Sequence, residues 1–90
     1  MEKTIYGPDQ RVLQGLLRAA RLEAGLRQQD LAELIDEPQA FVSRYENGQR
    51  RLDVLELRAI CRAVGVTLPA FVERLEARLG PPGKGRRRRP

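Results

Sequence analysis

The chain has 90 residues, room for one domain and too few for two. It has no histidine and a single cysteine, Cys61, which excludes an internal disulfide, a Ser-His triad and any histidine-ligated metal, and calls for no cofactor. Lys plus Arg is 17 against 12 Asp plus Glu, but Lys84 and Arg86 to Arg89 supply five of the cations and residues 81–90 hold no acid, so residues 1–80 carry 12 of each sign and are neutral.

Residues 1–9, "MEKTIYGPD", form an N-terminal arm without the apolar core of a signal peptide, and "KTIY" is the one stretch with a hint of strand alternation. Residues 10–24, "QRVLQGLLRAARLEA", set Leu13, Leu16, Leu17 and Ala20 at helical spacing, with Pro8 suited to a first turn and Gly25 to a C-terminal stop. Residues 28–35, "QQDLAELI", put Leu31, Ala32 and Ile35 on one face, and "DEP" interrupts them because the residue before a proline avoids the helical region. Pro38 opens a third helix that stops at Gly48. A fourth, residues 53–64, begins at Asp53 as N-cap and presents Val54, Leu57, Ile60, Cys61 and Val64 at i, i+3, i+4 spacing, with Gly65 ending it. Thr67 caps a fifth, "LPAFVERLEARL", with the stripe Leu68, Phe71, Val72, Leu75 and Leu79.

These segments predict an all-α fold of five helices in one domain, residues 10–79, followed by a Gly/Pro/Arg-rich tail, residues 80–90, whose composition predicts disorder. With two Tyr, two Phe and no Trp, the core must be largely aliphatic. No apolar run approaches the roughly 18 residues of a membrane span, so a soluble, cytoplasmic chain is expected. The acidic spots Asp30/Glu33 and Asp36/Glu37 read as solvated faces and turns, and no enzyme chemistry is expected.

Helices 2 and 3, joined by a tight turn inside a small helical domain, form a helix-turn-helix. At roughly 100° per residue, Phe41, Val42 and Tyr45 share one arc of helix 3, and Gln39, Ala40, Ser43, Arg44 and Asn47 share the opposite one. Glu46 falls at the edge of the buried arc. Arg fits the guanine edge, Gln the adenine edge and Ala a thymine methyl, although a solvated polar face has the same composition.

"GLRQQDLAELI", "PQAFVSRYENGQRR" and "LRAICRAVGVTL" together resemble the lambda-repressor-like (Xre-type) family of DNA-binding domains, over about residues 13–75. The resemblance implies sequence-specific binding to double-stranded DNA by a transcriptional regulator, as a dimer on a pseudo-palindromic operator. It directs Gln39, Ala40, Ser43 and Arg44 at the major groove, Gln39 and Arg44 foremost. It gives Gln28 a phosphate contact and the bracing of the first base-reading side chain, and makes Arg21 and Glu46 a partly buried ion pair. Asn47, Gln49, Arg50 and Arg51 then suit the sugar–phosphate backbone, with Arg27 adding a phosphate contact. Phe41 is expected to be part core and part rim, and Cys61 a small core residue.

Two departures from the family pattern stand out. Arg27 replaces the usual Ser or Thr cap of helix 2, and the turn reads Asp36-Glu37-Pro38 in place of Gly-Val-Ser, which predicts a left-handed backbone at Asp36. The homodimer interface is expected on the last helix, through Phe71, Val72, Leu75 and Leu79, unless that stripe is wholly internal. A repressor is the leading reading. An antitoxin that binds DNA and a toxin protein is the second, and an interaction module without DNA binding is the third.

Overall fold

The helix boundaries follow from how each end satisfies its backbone groups. The structure is a computed structural model that describes residues 7–80. Pro8 is the first residue of α1 (Pro8–Glu23), two positions ahead of the apolar periodicity, because a proline in the first turn sacrifices no hydrogen bond. α1 closes at Gly25, where φ is +76° and the Leu26 N–H returns to the Arg21 carbonyl at 3.2 Å.

α2 (Gln28–Leu34) begins behind Arg27, whose guanidinium has no acceptor and cannot cap. The Asp30 carboxylate instead accepts from the Arg27 backbone N–H at 2.9 Å, which is half of a capping box. α2 ends in a left-handed residue, Asp36 at φ +60°, in the place that glycine usually takes. The Asp36 and Glu37 N–H groups close it onto the carbonyls of Glu33 and Ala32 at 3.2 and 2.9 Å. Glu37 is exposed, so the turn forms without a buried apolar side chain.

Pro38 is the N-cap of α3 (Gln39–Glu46) and not its first residue. α4 (Val54–Val64) has a complete box: Glu56 N–H donates to the Asp53 carboxylate at 2.7 Å, and Asp53 N–H donates to Glu56 at 2.9 Å. In α5 (Leu68–Leu79) the Thr67 hydroxyl accepts from Ala70 N–H at 3.2 Å and Pro69 sits in the first turn.

Every helix contributes to one core: Leu17, Leu31, Ala32, Phe41, Val42, Tyr45, Ile60, Cys61 and Phe71 are buried together. Each large member contributes about 1.5–3 kcal/mol by leaving water. Val54 departs from the predicted stripe and is 66% exposed, because it lies at the very start of α4, ahead of the buried turn. Burial raises the Cys61 thiol above its ordinary pKa, so it packs as a small apolar group. No strand and no helix long and apolar enough to cross a membrane occurs among the described residues. The "KTIY" segment and the arginine tail lie outside them.

Candidate nucleic-acid interface

α3 divides cleanly by face. Phe41, Val42 and Tyr45 are buried, while Gln39, Ala40, Arg44 and Asn47 are exposed and Ser43 is half-buried. Phe41 is inside rather than at a rim, 7% exposed and edge-on to Tyr45 with ring centroids 5.7 Å apart. The four side chains expected at the groove therefore share the outward surface.

The buried side of α3 is fastened to α1 by charge. Arg21 Nε donates to Glu46 Oε2 at 2.7 Å and its Nη2 to Glu46 Oε1 at 3.0 Å, a bidentate pair with both side chains almost wholly enclosed. Arg21 Nη1 also donates to the Leu26 carbonyl at 2.9 Å, which ties the α1–α2 loop to the same point. The hydrogen bonds to Glu46 raise the Arg21 guanidinium further above its usual pKa. The chain of contacts continues outward: Gln28 Nε2 donates to Glu46 Oε1 and Gln39 Nε2 donates to Gln28 Oε1, each at 3.1 Å. Gln28 thus braces Gln39, the first side chain of the outward face.

Among the cations expected at phosphates, Arg27 and Arg50 each hold a carboxylate within the protein. Arg27 holds Asp30 through Nε and Nη2 at 3.0 and 2.7 Å on the exposed surface, and this pair lowers the Asp30 pKa to about 2. Such a pair contributes little to stability and exchanges readily. Arg50 is held more firmly. Its Nη1 and Nη2 donate to the two Glu56 oxygens at 3.0 and 2.9 Å, and its guanidinium lies over the Phe41 ring. Gln49 and Arg51 are exposed in the loop, and Asn47 donates weakly to Ser43 Oγ at 3.4 Å. Arg44 makes no ion pair among the described residues.

Gly48 shapes the exit from α3. Its φ is +81°, it is buried, and a Cβ there would stand 2.5 Å from the Gln14 side-chain nitrogen.

The expected dimer interface needs one correction. Phe71 is 1% exposed and belongs to the core, because α5 must cover α1 and α4 with its bulkiest side chain. Leu75 is half-buried, and only Val72 and Leu79 stand open, at 37% and 36%.

The sequence reading missed Glu56 as the partner of Arg50. The Asp-x-x-Glu spacing at Asp53–Glu56 signals a capping box and could have flagged the capping half of that role. It also missed the apolar Leu34 and Leu55, 60% and 75% exposed, beside a groove of about 620 Å³ between α2 and α4. No group of acids and cysteine that could hold a metal occurs among the described residues.

Comparison with known proteins agrees with this fold. Residues 17–71 match the helix-turn-helix family. A comparison with curated proteins finds no match. Among solved structures, the chain is 42% identical to an XRE-family like protein from Pseudomonas syringae pv. tomato str. DC3000, with a TM-score of 0.77 over 87% of this chain and 95% of that one. It is 26% identical to the restriction-modification controller protein C.Esp1396I, solved as a tetramer with its natural 35 base-pair operator, with a TM-score of 0.70 over 77% of this chain and 91% of that one. The clp gene regulator ClgR from C. glutamicum, 22% identical, shares the fold at a TM-score of 0.69 over 77% of this chain and 88% of that one. The five helices, the two-faced α3 and these matches together place the chain in the helix-turn-helix family of XRE type.

Proposed function

We propose that the chain is a transcriptional repressor that binds a pseudo-palindromic operator in double-stranded DNA as a homodimer. DNA binding and transcriptional regulation follow from the family. The finer reading rests on one observation: Gln39, Ala40, Ser43 and Arg44 project from a short helix whose opposite side is locked into the core. Inserted in the major groove, Arg44 reads guanine, Gln39 reads adenine, Ala40 meets a thymine methyl and Ser43 takes either edge.

Gln28, Arg27, Asn47, Gln49 and Arg51 grip the flanking phosphates and set the register. Arg27 does so by exchanging the Asp30 carboxylate for a phosphate. Arg50 shapes the loop instead, because Glu56 already neutralises it. The surface left on α5, Val72 and Leu79 with part of Leu75, joins two copies. Two α3 helices then sit about 34 Å apart, one turn of DNA. The operator-bound tetramer of C.Esp1396I supports assembly on DNA as the working state.

In-vitro selection from random duplex DNA tests this reading. Enrichment of a motif with two inverted half-sites about one helical turn apart is expected. A motif with a single half-site would remove the dimer, and no enrichment at all would remove sequence-specific binding.

A further inference from the structure

α2 and α4 leave an open groove of about 620 Å³ between them, and its lining includes Leu34 and Leu55, both exposed. Single exposed leucines are ordinary on a soluble domain, but two on one concave surface are not scattered. Leu34 stands off the core because Leu31, Ala32 and Ile35 already supply the inward face of α2. Leu55 stands off because α4 turns Leu57, Ile60, Cys61 and Val64 inward. Ala59 and Ala63, one turn apart on α4, add little bulk to the lining.

The charge on the same lining is one-sided. Arg58 and Arg62, again one turn apart on α4, are exposed and belong to no ion pair among the described residues, whereas Arg21, Arg27 and Arg50 each hold a carboxylate. Two cations at that spacing repel each other along a helix. Asp36 is the one acid that lines the groove among the described residues.

That combination selects its occupant. An amphipathic helix sets apolar side chains at i, i+3, i+4 and i+7 into such a groove, and acidic side chains along its border meet the two guanidiniums. The chain's own segments fit less well. Residues 81–90 carry five cations and no acid, and residues 1–6 hold one acid and one lysine. The exposed side of α5 in a second copy mixes Glu73 and Glu76 with Arg74 and Arg78, so it brings no excess of acid.

We propose that the groove between α2 and α4 is a docking site for an acidic amphipathic helix of a partner protein, its apolar stripe against Leu34 and Leu55 and its carboxylates on Arg58 and Arg62. Among the described residues, no side chain of α3 and none assigned to bases or phosphates lines the groove, so the outward face of α3 stays open when the helix is seated. The contact needs no DNA.

The test uses the full chain and two labelled helical peptides of about 16 residues, alike in a leucine stripe at i, i+3, i+4 and i+7 but flanked by glutamates in one and by lysines in the other. Fluorescence anisotropy without DNA should give the acidic peptide a Kd of roughly 10–100 μM, in keeping with a small contact, and the basic peptide one at least about tenfold weaker. Added salt should narrow that difference. Arg58→Glu/Arg62→Glu should reverse the preference, and Leu55→Ala should weaken the acidic peptide about fivefold. Both variants replace exposed side chains, and thermal denaturation checks that they stay folded. Should the charge reversal not fold, Arg58→Gln/Arg62→Gln decides in its place by abolishing the preference. Equal binding of the two peptides, a preference that survives the charge change, no effect of Leu55→Ala, or no binding at about 1 mM overturns the inference. So does light scattering in which Leu55→Ala breaks up a wild-type oligomer, which gives the groove to a second copy. Competition by a peptide of residues 1–6 or 81–90 gives it to the chain's own end and overturns the inference too. Operator selection is a separate measurement, so none of these outcomes touches the reading of α3.

Discussion

The Arg50 guanidinium lies 4.5 Å from the centre of the Phe41 ring and is held there by both carboxylate oxygens of Glu56. One side chain thus joins the loop after α3 to an aromatic residue of α3 and to the first turn of α4. The Glu56 carboxylate that holds it also caps Asp53, so the loop's exit and the start of α4 share a single anion. A cation that the sequence offers to the phosphate backbone serves to set the loop's shape.

Arg50→Ala should therefore destabilise the fold by about 1–2 kcal/mol, a cation–π contact and a half-exposed ion pair combined. The slope of log K against log salt for DNA binding should stay the same. Arg50→Lys should lose most of the same stability, because an ammonium cannot hold Glu56 and cover the ring at once. Chemical denaturation and a salt titration measure the two effects. A slope shallower by about one unit would instead make Arg50 a phosphate contact.

Glu46→Ala should cost about 2–4 kcal/mol, because it leaves Arg21 enclosed without its counter-charge. The double variant Arg21→Met/Glu46→Leu should recover much of that loss, since apolar side chains can replace a buried pair. Thermal denaturation of the three proteins settles it, and a Glu46→Ala variant that melts like the wild type would contradict the buried pair.

Asp30 supplies a pH dependence. Its folded pKa of about 2 lies below the ordinary 3.8, because the Arg27 side chain and backbone N–H both donate to it. A depressed carboxylate contributes stability that is complete above the ordinary value and lost as pH falls through the folded one. The stability gap between the wild type and Asp30→Asn should be constant from neutral pH to about pH 4 and then close toward pH 2. A gap that persists at pH 2 would mean that the carboxylate's charge plays no part. Glu56, also lowered by Arg50, follows the same sign.

Asp36→Gly should stabilise the protein by about 0.5–1.5 kcal/mol. It relieves a left-handed non-glycine residue and removes a negative charge from the C-terminal end of α2. Urea midpoints at constant m-value report this directly. A loss of stability would show that Asp36 makes a compensating interaction.

Arg44→Ala should weaken binding at the selected site by about 1–3 kcal/mol and relax the preference at one base pair. Competition with sites mutated at single pairs reads it. An equal loss on every sequence would reassign Arg44 to the backbone.

The sequence made the helices legible because their signals are local. Apolar spacing, Pro8, Asp53, Thr67 and the glycines mark ends whatever the tertiary setting, and the same wheel that buried Val42 and Tyr45 turned Gln39 and Arg44 outward. Asp36 was readable from a missing glycine. What stayed hidden depends on distance in space. Nothing local says that Arg50 folds back onto Phe41 while Glu56 takes its charge, or that Gln14 closes over Gly48. Phe71 carries the same stripe spacing as Val72 and Leu79, and periodicity cannot say which part of an apolar face is left over once a core is full. The hydrogen-bond direction through Gln28 was likewise beyond a pattern of residue types.

Tyr45 has a further use. The chain has two tyrosines and no tryptophan, and Tyr45 sits 1% exposed on the buried face of α3, beside Phe41 and next to Glu46. Burial, helped by the Glu46 charge, pushes its phenol far above the usual range, and its hydroxyl has no partner among the described residues. In a Tyr6→Phe background, the ultraviolet emission of the protein comes from that one ring. Undocking of α3 moves the ring from the core into water and lets the phenol titrate at its ordinary pKa. The protein thus carries an intrinsic optical reporter on the seating of α3, readable without a label.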